Sequence, residues 1–216
     1  SQADTLYVNL YASNKAEVSL DNLIIKIVQE TNYPWDGRIS VQIVPQQTST
    51  FTVKFRVPGW ARDVVLPGDL YNYLSTGSKE PKLLLNDEPV DIRAKNGYFS
   101  ITRSWTEGDK VEIVFPMDVR LTKAHEKVEE DLRKRSFEYG PMVYCVEDID
   151  NPEGLEKIAL SNQMSWEVQF HESVLNGINV ISGSNQKDNS NLTAIPYYSW
   201  SNRGVGAMKV WLPYHE

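Results

Sequence analysis

Residues 51–57 read Phe-Thr-Val-Lys-Phe-Arg-Val, an unbroken alternation of apolar and polar side chains. Alternation with a period of two is typical of a β-strand that buries one face and exposes the other. The same pattern recurs in Ile39–Ile43 and in Val111–Phe115. Antiparallel sheets accommodate such half-buried strands readily. The turn dipeptide Asn96-Gly97, between the strand patterns Val90–Ile92 and Phe99–Ile101, further indicates a β-hairpin.

These strands predict an all-β fold made of two tandem antiparallel β-sandwich domains of the jelly-roll or immunoglobulin-like type. Residues 122–135 lack the alternation and are rich in Glu and Lys, so they indicate a short helix or an extended charged linker. Because both the pattern and the charge change here, we place the domains at residues 1–120 and 121–216.

Composition excludes several classes of function. The 216 residues carry a net charge of −7 and no basic cluster, which argues against binding of nucleic acid or anionic membrane. No apolar run approaches the roughly 18 residues that span a bilayer, and no signal peptide is visible at the start. The single cysteine, Cys145, excludes an internal disulfide. It lies in the apolar segment Met142–Val146, which indicates a small core residue rather than a nucleophile.

Candidate catalytic and metal-binding groups are sparse. The three histidines are far apart in sequence, and no CxxC motif occurs, so no zinc site is predicted. The run Glu147–Asn151 offers oxygen ligands that suit calcium, but it lacks the spacing of an EF-hand, and an acidic surface loop is the favoured interpretation. Any two of the 29 acidic residues could lie close enough for glycoside hydrolysis, and no motif selects a pair. No residue is therefore predicted to be catalytic, cofactor-binding or metal-binding.

The six tryptophans are the other chemically informative residues. Three of them, Trp105, Trp166 and Trp211, lie on strand patterns and are predicted to be core residues. The others lie in loops, where an indole can stack on a sugar, contact a partner domain or close the end of a sandwich. Our candidates for contact with a domain or a sugar are Tyr33, Trp35, Trp60, Tyr197, Trp200 and Arg203.

Several segments together resemble glycoside hydrolase family 127, the β-L-arabinofuranosidase group. They occur in the order of the family and cover nearly the whole chain. The matching segments are Leu6–Tyr11, Gln29–Gly37, Phe55–Ala61, Trp105–Glu112, Phe115–Arg120, Tyr139–Cys145, Ala194–Gly204 and Met208–Pro213.

The resemblance implies that this chain is the C-terminal β-sandwich region of such an enzyme. In the family an (α/α)₆ barrel precedes the sandwiches and carries the cysteine nucleophile and the zinc ligands. None of those residues has a counterpart here, and Cys145 matches a position on a sandwich strand. Tyr139 stands where relatives tend to have an arginine.

The implied function is non-catalytic support of a barrel that this chain does not contain. The implied partner is that barrel, and zinc is expected only in the barrel. Analogy with the family suggests a periplasmic or secreted protein.

Two alternatives stay open. One is a carbohydrate-binding module that uses the loop tryptophans on plant-type glycans, and the other is a self-contained hydrolase with two carboxylates.

Overall fold

The chain divides into two compact units in the computed structural model, which describes residues 4–185 and 190–215. The first unit comprises Ser1–Arg62 and Gly77–Met117, and the second comprises Asp63–Thr76 and Asp118–Glu216. The segment 63–76, which the sequence analysis placed in the first domain, therefore lies in the second unit.

The first unit is built from two sheets. One has the strand order β1-β5-β9, and the other has the order β2-β3-β4-β10-β7-β8. Strand β1 runs parallel to β5, and the remaining pairs are antiparallel. The strands of this unit are β1 Thr5–Val8, β2 Asn14–Leu20, β3 Leu23–Thr31, β4 Arg38–Pro45, β5 Ser49–Arg56, β7 Lys82–Leu85, β8 Glu88–Pro89, β9 Tyr98–Trp105 and β10 Asp109–Val114.

The core of the first unit lies between these two sheets. On β5, Phe51, Val53 and Phe55 are buried, as the alternation predicted. Trp105 on β9 is fully buried, and its indole nitrogen donates a hydrogen bond of 3.0 Å to the Phe51 carbonyl oxygen. The facing sheet contributes one alternate set of side chains to the same cluster, namely Ile25 and Ile27 of β3, Ile39, Val41 and Ile43 of β4, and Val111 and Ile113 of β10. The expected β-sandwich is confirmed.

The second unit is a curled sheet in which the strands follow the order β14-β19-β12-β13-β17-β16-β15, with β11 beside β12 and β6 beside β11. Its core contains Phe137, Tyr144, Ile181 and Leu212. The strands are β6 Tyr71–Tyr73, β11 Val119–Ala124, β12 Lys134–Tyr139, β13 Met142–Glu147, β14 Leu160–Ser161, β15 Met164–His171, β16 Ile178–Asn185, β17 Asn191–Pro196, β18 Met208–Lys209 and β19 Leu212–His215.

The prediction of a short helix or a charged linker at residues 122–135 is wrong for both ends of the segment, and only residues 125–133 form a connection, which contains one 3₁₀ turn. Residues 119–124 form β11 and residues 134–139 form β12, and these two strands pair with each other. A helix here would have needed a buried apolar face, but the segment has few apolar residues, and one of them, Leu132, is exposed. Within the described ranges, helical structure is limited to single 3₁₀ turns, and none is long or apolar enough to cross a bilayer. These turns are Trp60–Arg62, Glu129–Asp131, Leu155–Lys157 and Tyr197–Ser199.

The Asn96-Gly97 turn was predicted correctly, but its incoming strand was not. Both residues have positive φ, 52° and 79°, as a tight hairpin turn requires. Lys95 and Tyr98 exchange backbone hydrogen bonds across the turn. Residues 90–92 are not a strand, and β9 pairs with β5 instead.

The segment 63–76 is held in the second unit by Arg120. Its guanidinium lies 2.8 Å from the Asp63 carboxylate and donates to the Ser75 carbonyl oxygen at 3.1 Å. It also lies over the Tyr73 ring, 3.5 Å from the centroid, and the Tyr73 hydroxyl donates to Glu138 at 2.7 Å. Burial raises the pKa of the Glu138 carboxyl. These contacts anchor β6 at the edge of the sheet.

Candidate functional site

The first unit brings Tyr33 and Trp60 together. Their rings stack with centroids 6.5 Å apart and planes inclined by 22°, and the Trp60 indole nitrogen donates to the Tyr33 hydroxyl at 3.3 Å. Phe115 lies edge-on to Trp60 with centroids 5.6 Å apart. Tyr11, which packs on Phe115, donates its hydroxyl to the Arg56 carbonyl oxygen at 2.6 Å, and burial raises its pKa. The group therefore extends the apolar core of the first unit.

The turn after β3 places Tyr33 and Trp35. The Tyr33 amide donates to the Thr31 hydroxyl at 2.9 Å, and the Trp35 amide donates to the Asn32 carbonyl oxygen at 2.8 Å. A Cβ at Gly37 would overlap the Phe115 carbonyl oxygen, so only glycine permits this close approach. Trp35 lies half-buried in the same turn.

The second unit presents Tyr197 and Trp200 at its surface. Their rings are parallel to within 3°, with centroids 6.5 Å apart, and the two side chains are 48% and 43% exposed. A 3₁₀ turn begins at Tyr197, and side chains three residues apart align in such a turn. Tyr198, between them, is also exposed. These residues, unlike Tyr33 and Trp60 of the first unit, are exposed to solvent.

Arg203 is directed into the second unit itself. Its guanidinium donates to Glu147 at 2.6 Å and to Asp150 at 2.7 Å. Glu147 also accepts the Ser201 amide at 2.8 Å and is only 5% exposed. The hydrogen bonds with Asp150, and then with Glu147, raise the pKa of the guanidinium. Because a buried carboxylate needs a partner, Glu147 holds the loop after Trp200 against the end of β13.

The calcium interpretation of residues 147–151 does not fit this geometry. Arg203 occupies the carboxylates of Glu147 and Asp150. The Asn151 amide group donates to the carbonyl oxygens of Glu147 and Thr193 at 2.7 and 2.9 Å, and its oxygen accepts the Thr193 amide. Glu147 and Asp150 are also unsuited to bracket a glycosidic bond, since the guanidinium lies between them.

The resemblance places zinc only in the catalytic barrel, and the sequence predicts no zinc site in this chain. In the part of the chain that the structure describes, no three His, Cys, Asp or Glu side chains converge as a metal site requires. The Nδ1 atom of His125 accepts the Lys127 amide, while His171 and His215 are exposed.

Cys145 is a core residue, as predicted. It is fully buried and packs with Ile178 and Ile195. Burial raises the pKa of its thiol to about 12, and the nearby Glu147 carboxylate contributes. A thiol in such surroundings is not a nucleophile at neutral pH. Of the other predicted core residues, Trp105 is confirmed, whereas Trp166 and Trp211 are only half-buried against Phe137 and Tyr71.

Two consecutive β units, each with its own apolar core, define a tandem β-sandwich protein. The family comparisons agree. The model of the β-L-arabinofuranosidase GH127 middle domain matches residues 5–117, and that of the glycoside hydrolase family 127 C-terminal domain matches residues 119–213. The chain belongs to glycoside hydrolase family 127, of which it comprises these two non-catalytic domains.

Solved structures share this fold. A GH127 β-arabinofuranosidase is 41% identical with a TM-score of 0.86, and the match covers 98% of this chain and 35% of that one. A GH127 β-L-arabinofuranosidase from Geobacillus stearothermophilus T6 is 33% identical with a TM-score of 0.85, covering 100% of this chain and 34% of that one. A curated non-reducing end β-L-arabinofuranosidase from Bifidobacterium longum subsp. longum is 25% identical, covering 95% of this chain and 32% of its own length. The chain spans about a third of the length of these relatives.

The first prediction concerns the Cys145 thiol. A rise in its pKa from 9.0 to about 12 lowers the thiolate fraction at pH 8 by about a thousandfold. We expect iodoacetamide to alkylate the native chain at least about a thousandfold more slowly than the chain unfolded in guanidinium, with the rate read by mass spectrometry. The native rate should continue to increase with pH above 9, where that of an ordinary thiol levels off. Equal native and unfolded rates would contradict the burial of Cys145.

The second prediction concerns the pairing of Arg203. Arg203→Met leaves the buried Glu147 carboxylate with the Ser201 amide alone, so it should lower the free energy of unfolding by about 1–3 kcal/mol in urea titrations. The control is Lys209→Met, which removes a pair at 2.8 Å with the exposed Glu156. That variant should lose less than about 1 kcal/mol. Equal losses in the two variants would show that Arg203 is an ordinary surface residue.

Proposed function

We propose that this chain is the accessory β region of a β-L-arabinofuranosidase and supports a catalytic part outside it. The observation that carries this proposal is the length of the chain relative to its relatives. Two family 127 domains account for residues 5–117 and 119–213, whereas the relatives named as arabinofuranosidases are about three times as long. By the family resemblance, the catalytic part is an (α/α)₆ barrel that carries the cysteine nucleophile and zinc. The substrate class is then a β-L-arabinofuranoside.

The geometry supports a scaffolding role. Each unit is a sheet structure with a buried core; the candidate aromatic residues are half-buried in the first unit and exposed in the second. Interfaces between domains of one chain bury roughly 600–1,500 Å² and are moderately polar. Tyrosine, tryptophan and arginine are enriched at such contacts. Tyr33, Trp35, Trp60, Tyr197 and Trp200 remain our candidates for contact with the catalytic part, while Arg203 acts by holding the loop that carries Trp200.

A second candidate function is carbohydrate binding by the second unit. The parallel and half-exposed rings of Tyr197 and Trp200 favour it, because accessible ring faces can stack on a sugar. Trp60 is less suited, since Tyr33 and Phe115 already contact its ring.

The third prediction tests the accessory role. The 216-residue chain should release no arabinose from p-nitrophenyl β-L-arabinofuranoside, whereas the full-length protein should hydrolyse it. A cooperative urea transition of the 216-residue chain is the control that its inactivity does not reflect misfolding. Hydrolysis by this chain alone would overturn the proposal and revive the two-carboxylate hydrolase.

The fourth prediction separates sugar binding from scaffolding. If the chain acts only as a scaffold, calorimetric titration with arabino-oligosaccharides gives no heat of binding. If the second unit binds sugar, the chain gives a measurable affinity that Trp200→Ala abolishes. Phe170→Ala, which removes another half-exposed aromatic ring from the same unit, is the matched control and should leave that affinity unchanged.

A further inference from the structure

Large apolar side chains are exposed at several places in the second unit, including the segment 63–76, but the exposed tyrosines and tryptophan lie in residues 197–207, which hydrogen-bond to residues 147–153. Besides the rings of Tyr197, Tyr198 and Trp200, these segments expose two aliphatic side chains. Val205 is fully exposed, and Ile149 is 58% exposed. Soluble proteins seldom leave neighbouring apolar groups of this size in water without an interaction partner.

The two segments are fastened to each other. The Asp148 amide donates to the Ala207 carbonyl oxygen at 3.1 Å, and the Ala207 amide donates back to the Asp148 carboxylate at 3.0 Å. Arg203 adds its hydrogen bonds to Glu147 and Asp150. A Cβ at Gly206 would collide with the Asp148 carboxylate, so glycine is needed for this approach. A loop fixed in this way loses little conformational freedom when it is covered.

The net charge of these two segments indicates the kind of partner surface that would bind to them. Together they contain four acidic side chains, Glu147, Asp148, Asp150 and Glu153, and one basic side chain, Arg203, which gives a net charge of −3. Arg203 pairs with Glu147 and Asp150, while Asp148 and Glu153 are exposed. A complementary surface would be apolar at its centre and would carry Lys or Arg at its rim.

A protein surface fits these features better than a sugar does. A sugar ring stacks on aromatic faces, but it gains little from aliphatic side chains such as Ile149 and Val205. Burial of aliphatic groups is worth roughly 25 cal/mol per Å² and is characteristic of protein contacts. About two thirds of each relative has no counterpart in this chain, which provides a polypeptide of sufficient size.

We propose that the apolar–acidic surface formed by residues 147–153 and 197–207 is where the catalytic part of the full-length enzyme docks, through an apolar patch with a basic rim. This inference rests on the proposed accessory function. Arg203 is a positioning residue in it, since its pairing with Glu147 and Asp150 holds the loop that presents Trp200 and Val205.

The fifth prediction is a hydrogen-exchange comparison, by mass spectrometry, between the full-length protein and the 216-residue chain. Peptides that span 197–207 should exchange at least about tenfold more slowly in the full-length protein, because docking covers them. Peptides that span β15, residues 164–171, serve as the control and should exchange equally in both. Trp200→Ala in the full-length protein should reduce the protection of 197–207, and Phe170→Ala should not.

Other exchange patterns would distinguish failure of the docking surface from failure of the accessory function. Protection elsewhere on the chain, with 197–207 unprotected, overturns this docking surface and leaves the accessory function standing. Equal exchange of every peptide in the two proteins overturns both. Protection of 197–207 that appears only after arabino-oligosaccharide is added overturns the docking surface and assigns it to sugar binding.

Discussion

Both units depend on one constraint, the burial of alternate side chains along a pleated strand. On β5 this places Phe51, Val53 and Phe55 in the core, and a slip of one residue would drive Lys54 and Arg56 into it. Strand β13 departs from the rule, because its last four residues are all buried. Tyr144 and Val146 face one apolar cluster, and Cys145 faces another. Since both sides of β13 are covered, the carboxylate of Glu147 at its end is buried too and must be paired.

That buried carboxylate links the fold to the surface. Arg203 and the Ser201 amide satisfy Glu147, and in doing so they bring the loop after Trp200 against the 147–151 segment. The exposed rings of Tyr197 and Trp200 are consequently carried by a fixed loop rather than a mobile one. In the first unit the comparable aromatic group, Tyr33 and Trp60, is packed against Phe115 and half-buried. Because its aromatic side chains are more exposed than those of the first unit, we place the proposed docking surface on the second unit.

The sequence could predict the parts of this structure that depend on local pattern. Alternation located β4, β5 and β10, and the apolar surroundings of Cys145 predicted its burial. Strands β11 and β12 were missed because they bury polar residues, Thr122 and Ser136, which interrupt the apolar pattern. The inward direction of Arg203 was also unpredictable, since its partner Glu147 lies 56 residues earlier. Tyr11 and Phe115 gave no local sign that they would join Tyr33. The family assignment came from the ordered set of segments and not from any strand pattern.

The chain passes between the two units after Arg62, Thr76 and Met117. The family's middle domain, residues 5–117, therefore includes the segment whose strand β6 pairs with β11 of the C-terminal domain. A gene fragment that ends at Met117 would encode β6 without the strand it needs, and the complementary fragment would lack an edge of its own sheet. The boundary that the family models draw at residue 117 is therefore not a place where the folded chain separates into two complete sheets.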